Sequence, residues 1–478
     1  PPQEPNRPGG AISTLVVKGN VDPSATIATE NATHPGTGNT IPGDLDTFVV
    51  SGGAFNGSLD IAGDVGVMKV VGGQTAGNIQ VNGNMNRLVA VDGGVGSPLT
   101  ATVGVGGRLG RAVVRGGNAA GSISTGTGGT TRKSLGALVI HGDLNNTLDV
   151  TGEARAIVVT GAVNAPINVT QGGLNVLKVV NPGGTSLNAP VDVAGRLQTA
   201  VLTGTASNSL EAGSNGNAGA GTIVAKNGAP GGLTVHGDAG RVIVVNGPLG
   251  GLDVLQGNLD LLRVVNNSDA VTGTVNVEGR LSTAVIDGDI AGSVDVDNGM
   301  GKFVVRGDLN EDLDVTGDTD HMVVIGTVQS PDEMTFRGNV GRMIVKSGSA
   351  ATSIDNDVNV HGRVNLFLVA GGNFNGDFSA GDIGRAIYRT QDGLTNRLQS
   401  ATGADTVVIA PSGSQAMSSS ATLDVAHSLG RGIFRGNVKG DIQVGSGQAN
   451  DGVNLLVITG DMDAAPNDNT DIDIDGDL

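Results

Sequence analysis

Residues 307–326 read GDLNEDLDVTGDTDHMVVIG, and the stretch divides into two halves of ten, GDLNEDLDVT and GDTDHMVVIG. Each half runs Gly, then Asp or Asn, then a usually apolar residue. A few variable positions follow, and then a short run dominated by Val, Ile or Leu. The same template returns as GDVGVMKVVG from Gly63, GNMNRLVAVD from Gly83, GDIAGSVDVD from Gly288 and GNVGRMIVKS from Gly338. Two kinds of half alternate along the chain. One is a nearly continuous apolar run (MKVV, LVAV, LRVV, MVVI, LFLV), the other a strict alternation (SLDIAG, TLDVTG, TVNVEG, SVDVDN).

Runs of four or five residues with period two, punctuated by Gly-Asp or Gly-Asn, are β signals. Gly supplies positive φ at the corner, and Asp or Asn hydrogen-bonds the local backbone there. A strand so short cannot bury its apolar side alone, but stacking coil on coil does so, each strand pairing in parallel with its equivalents above and below. The expected fold is all-β: one long parallel β-solenoid of roughly twenty coils of roughly twenty residues, with two short strands and Gly-Asp or Gly-Asn corners in each coil. No helical period of useful length appears, and a β-propeller would need longer blades with aromatic motifs. Residues 1–10 (PPQEPNRPGG) read as a flexible Pro-rich lead-in, as processing would leave, and 11–478 as continuous solenoid. A long loop insertion falls at 22–42, with lesser excursions at 117–134, 205–221, 411–421 and 445–450.

Composition narrows the function. The 478 residues include 81 Gly, eight Phe, one Tyr and no Trp or Cys, so the core must be thin and aliphatic and no thiol chemistry is available. A formal charge of −18 argues against nucleic acid or an anionic membrane as partner, and no apolar stretch approaches the length of a membrane span. Absence of Cys in a chain this long suits an extracellular or cell-surface protein.

Catalysis is expected to be absent. Acids fall after the corner Gly (Asp64, Asp143, Asp238, Asp289, Asp308) and in the alternating runs (Asp60, Asp149, Asp192, Asp253, Asp295, Asp314), where the pattern points them outward as a solvated ladder. Sugar clefts use aromatic platforms, and only Phe336, Phe367, Phe374, Phe378 and Tyr388 cluster; these read as filling a locally wider core. The six His (His34, His141, His236, His321, His361, His427) lie in different coils without metal-ligand spacing. No cofactor is expected. The terminal DIDIDG matches the first half of a calcium loop, but its closing Glu is missing, leaving weak calcium binding by Asp471, Asp473 and Asp475 as a secondary possibility.

The cadence of LDIAGDVGVMKVVGG (59–73) resembles that of the bactofilins and, more loosely, of secreted bacterial β-helix surface proteins. The resemblance implies a parallel β-helix that polymerises end to end without nucleotide, and it carries over no catalytic residue. The two extremes of the sequence fit that mode. AISTLVVKGN (11–20) opens on a continuous-type strand, and TDIDIDGDL (470–478) stops on an alternating-type strand and its corner. The expected joint is therefore Ile12, Leu15, Val16 and Val17 of one copy against Asp471, Ile472, Asp473, Ile474, Gly476 and Leu478 of another. That makes the chain a structural, extracellular, self-assembling filament whose partner is itself. A monomeric adhesin or stalk is the alternative, and a polysaccharide-degrading β-helix enzyme the third.

Overall fold

A computed structural model of the chain describes residues 11–34, 37–94, 96–128, 133–329, 333–347, 354–445, 451–462 and 471–475. Every regular element among them is a β-strand, and the strands stack in parallel as β-solenoid turns, about 19 in all. The chain divides into two compact units, Pro1–Ala239 and Gly240–Leu478.

A turn of the first unit shows how the template folds. The continuous run Leu45–Ser51 is followed by a single bridging residue, Phe55, and then by the alternating strand Ser58–Ile61. The Gly63-Asp64 corner leads into Val65–Val71, which lies in parallel register on Leu45–Ser51. Identical positions stack from turn to turn: Val17 on Val50, Val50 on Val70, Val70 on Ala90, and Ala90 on Val114. From Val50 to Val114 these side chains are fully buried.

Each turn has a third ladder besides the two strands read from the sequence. It is one residue wide: Val21, Phe55, Thr75, Leu99, Ala119 and Leu144 bridge in succession in the first unit, and Ile290, Leu309, Val328, Ile354 and Phe374 in the second. Val21, Ala119, Leu144, Ile290, Leu309 and Phe374 are third residues of the Gly-Asp/Asn-apolar template, the others stand in its place with a different lead, and every one from Phe55 onward is fully buried. Within 22–42, Thr26–Thr29 is itself an alternating strand paired in parallel with Ser58–Ile61. The excursion proper is the small antiparallel hairpin Ala32–Thr33 and Thr40–Ile41.

The corner acids work between turns, which corrects their reading as bonded to local backbone. The Asp44 Oδ1 accepts from the Asp64 N–H at 2.7 Å, Asp64 Oδ1 from the Asn84 N–H at 2.6 Å, and Asn84 Oδ1 from the Arg108 N–H at 2.9 Å. In the second unit Asp289 accepts from Asp308 at 2.8 Å and Asp308 from Thr327 at 2.7 Å, while Asp318 accepts from Asn339 at 2.7 Å and Asn339 from Arg363 at 2.9 Å. The strand ladder is interrupted at the corner, and there the side chain supplies the missing acceptor for the next turn's amide. Gly must precede each such residue, because a Cβ at Gly83 would lie 2.2 Å from the Asp64 carboxylate that reaches past it.

In the second unit the aromatic group sits entirely inside. Phe367 stacks on Phe378 with centroids 4.1 Å apart and meets Phe374 and Tyr388 edge-on at 5.9 and 5.7 Å. Phe336 is fully buried as well, so these rings fill the core as the sequence suggested. Small partners make the room: Ala386 stacks on Phe367 in register. The Tyr388 hydroxyl is buried with no hydrogen-bond partner, and burial raises its pKa well above the ordinary 10.0.

Two outcomes follow from this packing. Replacing Asp308 with Ala removes the acceptor for the Thr327 amide and is expected to cost about 1–3 kcal/mol, read as a lower urea midpoint. Tyr388→Phe deletes an unsatisfied buried hydroxyl and is expected to stabilise by up to about 2 kcal/mol. Because the folded pKa of Tyr388 is raised, its neutral form is favoured by the fold. The native protein should keep full stability below the unfolded tyrosine pKa near 10.0 and lose it as pH rises beyond, a slope that Tyr388→Phe should lack in alkaline melts.

Candidate functional sites on the turns

The residues expected at a joint fall in separate units. In the first, Ile12–Lys18 pairs on one side with Leu45–Ser51 and, among the described residues, with no other continuous-type strand. Ile12 stands on Leu45, Leu15 on Phe48 and Val17 on Val50. The partners Leu45, Phe48 and Val50 are fully buried, whereas Ile12, Leu15 and Val17 are only half-buried and Val16 is 54% exposed. In the second unit Ile472–Ile474 lies in parallel on Asp441–Val444, with Ile472 on Ile442 and Ile474 on Val444. Ile442 and Val444 are buried and the two Ile above them half-buried. Gly476 and Leu478 lie outside the described residues.

Asp471, Asp473 and Asp475 are exposed, and the Asp471 N–H donates to Asp441 Oδ1 at 3.1 Å, the same corner rung found elsewhere. The segment is thus built as an alternating half-turn. Among the described residues no group of three His, Asp or Glu side chains is placed to hold a metal ion.

The alternating strands carry the outward acids in two runs. In the first unit Asp149, Asn168, Asp192 and Glu211 stack in register. Asn168 donates to Asp149 at 2.8 Å, and His236 Nε2 lies 2.8 Å from Glu211. Burial, with Glu211 one turn away, holds Asp192 above the usual carboxylate range. In the second unit Asp253, Asn276, Asp295 and Asp314 stack. Burial, and after it the neighbouring Asp314, Asp297 and Asp312 carboxylates, raise Asp295 likewise. Arg337 reaches Asp314 at 3.4 Å. A second histidine–carboxylate contact joins His427 Nδ1 and Asp451 at 3.1 Å.

The clefts lie elsewhere, on the outer face of the continuous-type strands. One of 240 Å³ in the first unit is lined by Arg108, Lys133, Gly136, Glu153, Arg155 and Asn175. Two in the second unit, of 460 and 440 Å³, meet at Gly341. Their floor has a two-turn period that sequence reading missed. Ser282, Gly301, Asp320, Gly341, Asn365, Gly384, Asp405 and Gly430 occupy one position on successive turns, so that Gly alternates with a polar side chain. Long arginines use the gaps. Arg280 reaches across Gly301 to Asp320 at 2.8 Å, and Arg363 across Gly384 to Asp405 at 2.6 Å while also pairing with Asp382. These clefts hold no exposed aromatic platform, and the carboxylates in them are already engaged by arginine.

No protein-family description, no curated protein and no solved structure matches the chain. Gly341 offers a direct test of the floor: a Cβ there would stand 2.4 Å from the Asp320 carbonyl oxygen. Gly341→Ala should force the two turns apart and cost about 1–3 kcal/mol, whereas Asp320→Asn, which loses only an exposed ion pair, should cost about 1 kcal/mol or less in the same urea titration.

Proposed function

We propose that this chain is a structural β-helix protein that joins further copies through its end turns, forming a filament outside the cell. The observation that carries the reading is the half-exposed strand Ile12–Lys18, paired on one side among the described residues, whose core-facing Ile12, Leu15 and Val17 repeat the positions of fully buried residues one turn along. A strand in that state gains twice from a further turn: the backbone edge acquires a parallel partner and the aliphatic side chains lose water. Ile472 and Ile474 offer the same gain in the second unit. A head-to-tail contact of this kind does not close on itself, so it propagates as a filament, the mode of assembly known from the bactofilins that the cadence resembles. The acid-rich outer strands and the net charge of −18 favour solubility of such an assembly over lateral precipitation on nucleic acid or anionic lipid.

Negative-stain microscopy of the purified protein should show filaments. Introducing Leu15→Lys with Val17→Lys, which places two charges on the end face, should reduce them to isolated particles without lowering the melting temperature of the rest by more than a few degrees. Deletion of 471–478 should do the same. Filaments of wild-type length from both variants would overturn the proposal, as would isolated wild-type particles. Isolated particles that bind cells would indicate a stalk or adhesin, and release of reducing sugar from polysaccharide would indicate an enzyme.

A further inference from the structure

Unpaired charge on the second unit is sorted by face, since the acids among the cations of the continuous-type strands, Asp287, Asp320, Asp382 and Asp405, are paired with Arg306, Arg280 and Arg363. The continuous-type strands carry two outward columns of cations. One holds Lys302, His321, Arg342 and Arg385; the other, four residues along each strand, holds Arg306, Lys346 and Arg389. Lys302, His321 and Arg342 are successive register partners, and Lys346 and Arg389 are joined through Ala370. All of these side chains are exposed. Lys302, Arg342, Lys346, Arg385 and Arg389 form no ion pair with a described residue, while Arg306 is paired with Asp287. Between the columns runs a half-buried aliphatic stripe of Val323, Ile344, Leu368 and Ile387. Ile325 adds a 48% exposed side chain at its margin.

The alternating strands of the same unit present the opposite sign. Asp295 and Asp314 stack directly, with Asp297 and Asp312 beside them, and Arg337 pairs with Asp314. Crowding of like charges is one cause of the raised Asp295 pKa, so the patch stands to gain from cations brought by a partner.

We infer that the basic, aliphatic-centred face formed by Lys302, Arg342, Lys346, Arg385 and Arg389 docks the Asp295–Asp314 ridge of a second copy of this chain, side by side. Three properties favour this occupant. Asp295 and Asp314 stand one turn apart, about 4.8 Å, the same step that separates Lys302, His321 and Arg342, so two carboxylates and this run of the basic column keep step. Four residues of strand separate the two columns by roughly 13 Å. The Asp295–Asp314 column fits between them, with Lys and Arg stems lying over the aliphatic stripe and their charged heads closing on these carboxylates and on Asp297 and Asp312 at its flanks. The opposite signs also reside on different faces of one chain, so each copy offers both halves of the contact. Such a contact is heterologous and does not close, giving rafts of parallel copies. It does not use the end turns, so it stands independently of the filament reading.

Both partners carry −18, so net repulsion opposes the contact when salt is scarce, and screening of the patches themselves opposes it when salt is abundant. Sedimentation equilibrium should therefore show self-association that is strongest near about 0.1–0.2 M salt and weaker on either side. The experiment uses the end-face variant Leu15→Lys/Val17→Lys, so that end-to-end joining does not contribute. In that background Lys302→Glu/Arg342→Glu/Arg385→Glu should weaken association at least about tenfold, and Asp295→Lys/Asp314→Lys should do the same. An equimolar mixture of the two should recover it to within about threefold, because each retains the face the other needs. Circular dichroism melts establish that both variants fold. Undiminished association of either variant would overturn the inference, as would failure of the mixture to recover. It would also be overturned if the protein sedimented as a monomer throughout and instead bound a soluble polyuronate through the basic face.

Discussion

Every backbone group on one turn must find its partner on the next, and the rest of the molecule follows from that demand. Strands satisfy it along the continuous and alternating ladders, but a turn must also bend, and at a bend the ladder lapses. Here the Oδ1 of an Asp or Asn takes over as acceptor for the amide about twenty residues further on, with Gly on the next turn keeping the approach open. Asp44, Asp64 and Asn84 form one such series, and Asp289 and Asp308 another. The recurring Gly-Asp and Gly-Asn pairs are thus half of a hydrogen bond whose other half lies in the following repeat.

That distance explains what was legible and what was not. The two strand types could be read directly, because both are built of apolar residues that bury every second side chain. LDVTG shows this by its alternation and MVVI by its run, in which Met322 and Val324 are buried and Val323 and Ile325 face outward. The third ladder could not, since a single residue such as Leu309 or Phe374 has no period of its own. Corner acids such as Asp308 were assigned a local role because sequence neighbours are visible and stacked neighbours are not. The aromatic group was placed correctly inside from scarcity alone, although the packing of Phe367 on Phe378 depends on Ala386 one turn away. Net charge concealed most. A total of −18 says nothing of sorting, and only the register separates the column of Lys302, His321 and Arg342 from the ridge of Asp295 and Asp314.

These charged groups differ in what they can contribute. Corner carboxylates accept from backbone amides that have no other acceptor, so they belong to the fold. Arginines that cross a glycine to reach an acid two turns away are partly exposed, and single exposed ion pairs contribute little to stability. Cations that form no ion pair with a described residue, such as Lys302 and Arg342, contribute least to the isolated chain. The aliphatic core, meanwhile, is continued to the margin by Leu15 and Val17, where the same residues that hold interior turns together remain half in water.

From Ser282 to Gly430 the floor alternates Gly with Ser, Asp or Asn, and that alternation bears on how this run of turns could lengthen. The core repeats every turn, but the run Gly301, Asp320, Gly341, Asn365, Gly384, Asp405 repeats every second turn. Duplicating one turn would preserve every buried contact yet put two side chains, or two glycines, in succession where Arg280 and Arg363 find their way across. Copying two turns keeps the pattern in phase. Over this run the surface repeats as a pair of turns, twice as long as the repeat the hydrophobic pattern displays.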